Sequence, residues 1–274
     1  MAAEERTPPY QPSLARRIAT TAEIGIVAAL SRTFLYALNR TEAPGLEKFL
    51  DVLDSRYDES KRERGLITVI TGVLAICGGV WGVMIFALGT GQDAIFSPSS
   101  YPVNRHSWIH IFPEGMTHQH PDHLMRYFKW GVARLILESE PCPDVMPIWI
   151  DGPQEVMSYE RTWPRFIPRA NKDIEIRFGE LVDREKTWSR FRERWRELKD
   201  RACRKNNSLP PSGVTGGHEC LGVVDDDELR YGEEARQLRI EVTMAVRNEV
   251  LKVRRAAGWG DEDPKRGLAE TYGL

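Results

Sequence analysis

No charged side chain stands between Gly65 and Gln92, and this run constrains the fold more than any other feature of the chain. An uninterrupted apolar stretch must leave water, either inside a packed domain or in a hydrocarbon core that about 20 residues suffice to cross. The run holds Leu66, Ile67, Val69, Ile70, Val73, Leu74 and Ile76, then Val80, Trp81, Val83, Met84, Ile85, Phe86 and Leu88. Its seven glycines suit a membrane helix better than a soluble one. On pattern alone it reads as a membrane-inserted helix, with a buried strand followed by a buried helix as the alternative. The chain's 274 residues suffice for one large domain or two small ones, and 28% charged residues argue against a protein of many spans. A net charge of -2 gives no general drive toward nucleic acid, so none is expected as a partner. Cys77, Cys142, Cys203 and Cys220 are scattered without a Cys-x-x-Cys pair, which argues against a disulfide framework or a zinc site. Residues 1–12 carry Glu4 and Glu5 and no apolar stretch, unlike a secretory signal; the two acids also weigh against a cleavable mitochondrial presequence.

Before the run, Ser13 to Asn39 reads as a long helix with Arg16 and Arg17 at its start and a broad apolar face. It is either a core-packing helix or one lying at a membrane interface with its basic start near headgroups. Leu46 to Ser55 reads as a second helix and Asp58 to Arg64 as a charged connector; Asp93 to Arg105 is loop-like. From Ser107 the chain changes to an α/β pattern. Trp108 to Phe112 reads as a short buried strand ending at Pro113. Pro121 and Asp122 then open a helix with Leu124, Phe128, Val132, Leu135 and Ile136 on one face, Asp122 favoured there by the helix dipole. Val145 to Ile150 is a second apolar strand, and Ile174, Ile176 and Phe178 alternate with charges as an edge strand would. Trp188, Phe191, Trp195 and Leu198 mark an amphipathic helix within the basic stretch Arg184 to Lys205, whose charged side reads as a solvated face. Asn206 to Gly217 reads as a linker, and a last charged helix runs from about Asp226 to Arg255. The expected regions are therefore 1–64, helical; 65–205, the α/β domain; and 206–274, linker and charged helix.

Phe112-Pro113-Glu114-Gly115 is the most informative local pattern. A Pro-x-Gly turn directly after an apolar strand presents backbone N–H groups and one carboxylate at the sheet end, where ligands of α/β sheets gather. Taken alone, it is also consistent with a strand-ending turn bearing a solvated Glu. The residues around it carry more. Trp108-Ile109-His110-Ile111-Phe112-Pro113-Glu114-Gly115, Arg126-Tyr127-Phe128-Lys129-Trp130-Gly131 and Arg134-Leu135-Ile136 together resemble the tafazzin branch of the glycerolipid acyltransferases. Met146-Pro147-Ile148-Trp149 is similar to that superfamily's fourth block, and Pro164-Arg165-Phe166-Ile167-Pro168-Arg169 with Ile174 to Gly179 resembles the tafazzin strand that follows. Arg64 to Val69 is similar to the strand leading into the first block.

The resemblance implies an α/β fold, a central mostly parallel or mixed sheet flanked by helices, with an N-terminal membrane-associated helix. It implies acyl transfer between phospholipids and lysophospholipids, remodelling cardiolipin at the expense of lipids such as phosphatidylcholine. The setting it implies is a mitochondrial membrane, outer or inner, facing the intermembrane space, with no cofactor. Phe112, Pro113, Glu114 and Gly115 would hold the glycerophosphate part, with Glu114 as polar anchor and Gly115 allowing close approach, and Pro147 would line the substrate tunnel. Arg126 and Lys129 are candidates for phosphate contacts, or simply the polar face of a helix.

The superfamily's chemistry rests on a His-x4-Asp pair, and this chain has none. Five residues beyond His106, His110, His118, His120, His123 and His218 stand Ile111, Gly115, His123, Met125, Phe128 and Val223. Where the family would continue with an Asn-His opening, Ile70-Thr71-Gly72 follows instead. Nor does Asp93 to Arg105 hold the second block with its phosphate-binding arginine. Residues 70–102 are accordingly read as a translated intron or misjoined exon, in preference to a variant that has lost its base; the membrane-span reading of the run then falls with them. His110 reads as a packing or hydrogen-bonding residue rather than a substitute base. His118, His120, Asp122 and His123 read as a solvated loop rather than a metal site. No catalytic residue is assigned. The alternatives to a transacylase are a non-catalytic lipid-binding protein of the same fold and a small single-span membrane protein resting only on the apolar run.

Overall fold

A computed structural model describes residues 13–71, 106, 108–116, 119–120, 122–160, 162–165, 167–205 and 226–273. The greater part of the uncharged run, the 93–105 loop, His118, Pro121 and the 206–217 linker lie outside the described residues. Only the start of the run is described, and it forms a strand. Among the described residues no helix is long and apolar enough to cross a membrane.

The elements in chain order are α1 (Leu14–Tyr36), β1 (Arg40–Glu42), α2 (Leu46–Ser55), β2 (Leu66–Thr71), β3 (Trp108–Ile111), α3 (Gly131–Glu138), β4 (Asp144–Asp151) and α4 (Pro153–Val156). They continue with β5 (Asp173–Phe178), α5 (Arg184–Thr187), α6 (Ser189–Lys205), α7 (Asp227–Tyr231) and α8 (Glu233–Ala256). The chain forms two compact units: the first takes in the described residues 13–42 and 152–174, the second the remainder. The five strands run in the order β1-β5-β4-β2-β3. β2 is parallel to both β3 and β4, while β4 and β5 are antiparallel, so the sheet is mixed.

β2 reads Leu-Ile-Thr-Val-Ile-Thr without alternation because both of its faces are covered. Toward one face, Ile67 and Val69 join Val145 and Trp149 of β4, and α3, α6 and α8 cover them with Val132, Ile136, Trp195, Leu238, Val242, Val246 and Val250. Toward the other, Leu66, Ile70, Met146, Ile148 and Ile150 meet Phe49 of α2. Each fully buried aliphatic side chain contributes about 1.5–3 kcal/mol of transfer free energy. The highly charged α8 is thus a core helix: Leu238, Val242, Val246 and Val250 follow a four-residue spacing and are all fully buried. Gly232 interrupts the expected single C-terminal helix, separating α7 from α8.

Three expectations need correction. The helix expected from Pro121 begins only at Gly131. In the residues before it, backbone donors serve other partners: Met125 N–H bonds the Glu262 carboxylate, Arg126 N–H that of Glu114, and Lys129 N–H the Pro113 carbonyl. His123 also takes a left-handed conformation (φ 52°), which no helix continues through. The expected buried strand, β3, is the outer strand of the sheet, and Trp108 and Ile109 keep 48% and 42% of their surface exposed. β5 is next to an edge rather than at one, since the three-residue β1 lies beyond it.

Candidate functional site

Because β2, β3 and β4 are mutually parallel, Thr71, Ile111 and Asp151 end at the same side of the sheet, the side where α/β proteins hold ligands. The Pro113–Gly115 turn follows β3 there. Gly115 N–H closes on the Phe112 carbonyl at 3.1 Å, and Gly115 takes φ 63°. A methyl group at Gly115 would stand 2.7 Å from Lys129 Cε and 2.9 Å from its Nζ, so glycine is what lets the Lys129 side chain lie against the turn. Glu114 is buried, and its carboxylate accepts the Arg126 N–H at 3.1 Å. The carboxylate therefore braces the 122–130 segment as well as occupying the turn. Phe112 stays 43% exposed beside it.

Arg126 lies with its guanidinium carbon 4.6 Å from the Tyr272 ring centre and 5.9 Å from that of Tyr127. Its Nε is buried without a hydrogen-bond partner, although buried polar groups of folded proteins are nearly always bonded. The structure thus brings Pro113, Glu114, Gly115, Lys129 and the backbone of Arg126 together. Pro147 is elsewhere. It lines a groove of about 690 Å³ with Gly45, Phe178, Gly179 and Val253, and none of the turn residues lines that groove.

His110 sits across from Thr68 on the neighbouring strand. Trp108 Nε1 donates to Thr68 Oγ1 at 2.9 Å, so the hydroxyl proton goes to one of two acceptors, His110 Nδ1 at 2.7 Å or the Ile109 carbonyl at 3.5 Å. The hydroxyl oxygen keeps a second lone pair, so Thr68 Oγ1 and His110 Nδ1 are hydrogen-bonded whichever ring nitrogen carries the proton. Desolvation also lowers the His110 pKa and favours the neutral ring. Its Nδ1 is thus engaged by Thr68 within the sheet.

Among the described residues no three His, Cys, Asp or Glu side chains are placed to hold a metal ion. His123 instead turns to Asp151 at the end of β4, with Nδ1 2.5 Å from Oδ1, and stacks on Trp259 at 4.1 Å. Trp259 Nε1 donates to the other oxygen of Asp151 at 2.9 Å. Behind this pair lies Glu262, its side chain wholly buried between Arg247 and Arg254. Arg247 Nε and Nη2 donate in turn to the carbonyls of Arg126 and Met125, and Arg254 Nε and Nη2 to those of His123 and Asp122. Tyr272, Trp259 and Glu262, which shape the site from the C-terminal tail, escape sequence reading because no periodicity or motif marks them. Asp151 alone carried a signal: it is the last residue of a strand whose carboxyl end faces the turn.

Sheet and turn define an α/β protein with a ligand-type turn at the carboxyl ends of its parallel strands. Comparison with known proteins shows what the chain is similar to. The chain is 32% identical over 155 residues to the tafazzin of Saccharomyces cerevisiae, a match covering 54% of this chain and 37% of that protein. It is 32% identical over 100 residues to the tafazzin of Drosophila melanogaster, covering 36% and 25% of the two chains. An N-acylphosphatidylethanolamine synthase of Arabidopsis thaliana is 38% identical over 79 residues, 28% of each chain. No family model matches the chain. Over the part these matches cover, the chain is similar to tafazzins; it spans little more than a third of the yeast relative's length.

Proposed function

We propose that the chain acts on glycerophospholipids at a mitochondrial membrane, as a tafazzin-like transacylase fold that exchanges acyl chains between phosphatidylcholine or cardiolipin and their lyso forms. The Pro113–Gly115 turn with Lys129 lying against Gly115 carries this reading, set at the carboxyl end of parallel strands in a tafazzin relative. In this reading Lys129 and Arg126 meet the phosphate oxygens, and the orphan Nε of Arg126 supports the second of these contacts. Glu114 anchors the turn and holds the 126 backbone in place.

Transfer requires the lysolipid hydroxyl to lose its proton as its oxygen attacks the donor's acyl carbonyl. The donor's glycerol oxygen then leaves and takes a proton back. A general base accelerates such a step by about 10²–10⁴. This chain holds no His-x4-Asp pair, and His110 has its Nδ1 engaged by Thr68. As written, the chain holds phospholipid and turns it over slowly. The same observation favours the second reading, a non-catalytic phospholipid-binding protein of this fold.

Vesicles containing labelled phosphatidylcholine and lysocardiolipin separate the readings. Under the transacylase reading, acyl label moves at a rate about 10²–10⁴ below that of yeast tafazzin under the same conditions. Label movement at the yeast rate would refute the account of the missing base, and none above the protein-free rate would leave only the binding protein.

A further inference from the structure

We propose that His123 and Asp151 form a catalytic pair, in which His123 is the general base for hydrolysis of a carboxylic ester by water. The proposal rests on the reading above only for the source of the ester, a glycerophospholipid held at the Pro113–Gly115 turn.

The pair has the geometry of a base with its orienting acid. His123 Nδ1 lies 2.5 Å from Asp151 Oδ1. A carboxylate can only accept, so this contact keeps the proton on Nδ1 and the basic lone pair on Nε2. Asp151 is itself fixed, since Trp259 Nε1 donates to its other oxygen at 2.9 Å. The Trp259 ring also stacks on the imidazole, with centroids 4.1 Å apart and planes 24° from parallel. The backbone of His123 is held in its left-handed conformation (φ 52°) from both sides. Its N–H bonds the His120 carbonyl at 2.9 Å, and its carbonyl accepts from Arg254 Nε at 3.3 Å. Residues fixed in such sparsely populated conformations cluster at active sites. A contact that only fastened the loop needs none of this orientation. The His123 side chain keeps 19% of its surface exposed, so water reaches it.

Placement connects the pair to the turn. Val69 of β2 pairs with Ile111 on one side and Pro147 on the other, so the turn after β3 and Asp151 of β4 leave the sheet at about the same height. With β2 between them, those two strands lie about 10 Å apart. The 122–130 segment spans that gap. His123 meets Asp151, the Arg126 N–H meets Glu114, and the Lys129 N–H meets the Pro113 carbonyl. One segment thus carries the base and both phosphate contacts, as one glycerol carries the ester and the phosphate of the lipid. The pair ends β4 and stands one strand further from the turn than a base following β2. The acyl acceptor it serves is therefore water, which needs no binding site of its own, rather than the hydroxyl of a second lipid.

In the step, His123 Nε2 takes a proton from water as the water oxygen bonds to the acyl carbonyl carbon. The tetrahedral intermediate collapses, the bond from that carbon to the glycerol oxygen breaks, and His123 gives its proton to the departing oxygen. A fatty acid and a lysophospholipid leave, and the histidine is neutral again.

The test follows hexanoate release by the full chain from dihexanoylphosphatidylglycerol below its critical micelle concentration. Wild type is expected to exceed the protein-free rate, and His123→Gln to lower kcat by about 10²-fold or more with KM unchanged. Asp151→Asn should lower kcat by about tenfold or more, because one amide oxygen cannot accept from both Nδ1 and the Trp259 indole. His120→Gln, in the same loop, should leave both constants unchanged. Tributyrin carries the ester without the phosphate, and its hydrolysis should depend on His123 but not on Lys129. No hydrolysis of either ester by wild type, or equal kcat in wild type and His123→Gln, overturns the proposal. A change in KM alone also overturns it, since that marks a structural tie. Hydrolysis of both esters that depends on His123 while Lys129→Ala has no effect on either would support the pair and overturn the proposed phosphate contact.

Discussion

Replacing Glu262 with alanine is expected to lower the free energy of unfolding by about 3–5 kcal/mol, a cost typical of breaking a buried ion pair from one side. The carboxylate side chain is wholly buried, as are the guanidinium groups of Arg247 and Arg254 that it neutralises. Its loss strands two cations away from water and also removes the acceptor of the Met125 N–H at 2.7 Å. Asp261→Ala, one residue away, serves as control. Asp261 pairs with Arg255 across exposed surface, with both side chains more than half in solvent, and such pairs are worth about 0–1 kcal/mol. Urea unfolding of the two variants should differ severalfold in the stability lost. Equal losses would show that Glu262 does not hold the tail to the 122–126 segment.

The second large effect is a gain. Replacing residues 72–102 with a segment that opens on Asn-His and continues as His-x4-Asp should raise acyl transfer by about 10²–10⁴. Geometry gives the reason. Val69 of β2 pairs with Ile111 of β3, so a base placed just after Thr71 arrives one strand away from the Pro113–Gly115 turn, and neighbouring strands lie about 4.8 Å apart. The fold already aims its β2 end at the turn. Transfer that rises equally when the grafted histidine is alanine would show that the added segment, not the base, is responsible.

Much of the sheet was legible because its signals are local. β4 is an uninterrupted apolar run, as a strand covered on both faces must be, and α2 follows its apolar spacing from Leu46 to Ser55. β2 was less legible, because it opens the long uncharged run whose pattern alone points to a membrane helix, with a strand only as the alternative. The turn was legible because proline and glycine restrict the backbone in ways that neighbours do not alter. The 122–130 segment was not. Leu124, Phe128 and Val132 keep a four-residue spacing, but the backbone donors of Met125, Arg126 and Lys129 between them are claimed by Glu262, Glu114 and Pro113, each more than ten residues distant. Tertiary partners overrode local periodicity there. The tail was opaque for a related reason: Trp259, Glu262 and Tyr272 gain meaning only from Asp151, Arg247 and Arg126, which sequence order places far away. Pro147 differs: its motif was readable, and the groove it lines has no residue of the 113–115 turn in its wall.

The central claim is that the turn and its cations hold the glycerophosphate of a phospholipid. Titration calorimetry with short-chain lysophosphatidylglycerol below its critical micelle concentration, on wild type and Lys129→Ala, tests it most directly. Lys129 is exposed and its side chain lies against Gly115, so its removal leaves the core intact. A hydrogen bond to a charged group is worth about 1.5–3 kcal/mol, so the account predicts binding by wild type weakened at least about tenfold in the variant. Equal affinity in the two proteins, or no binding by wild type, would contradict it.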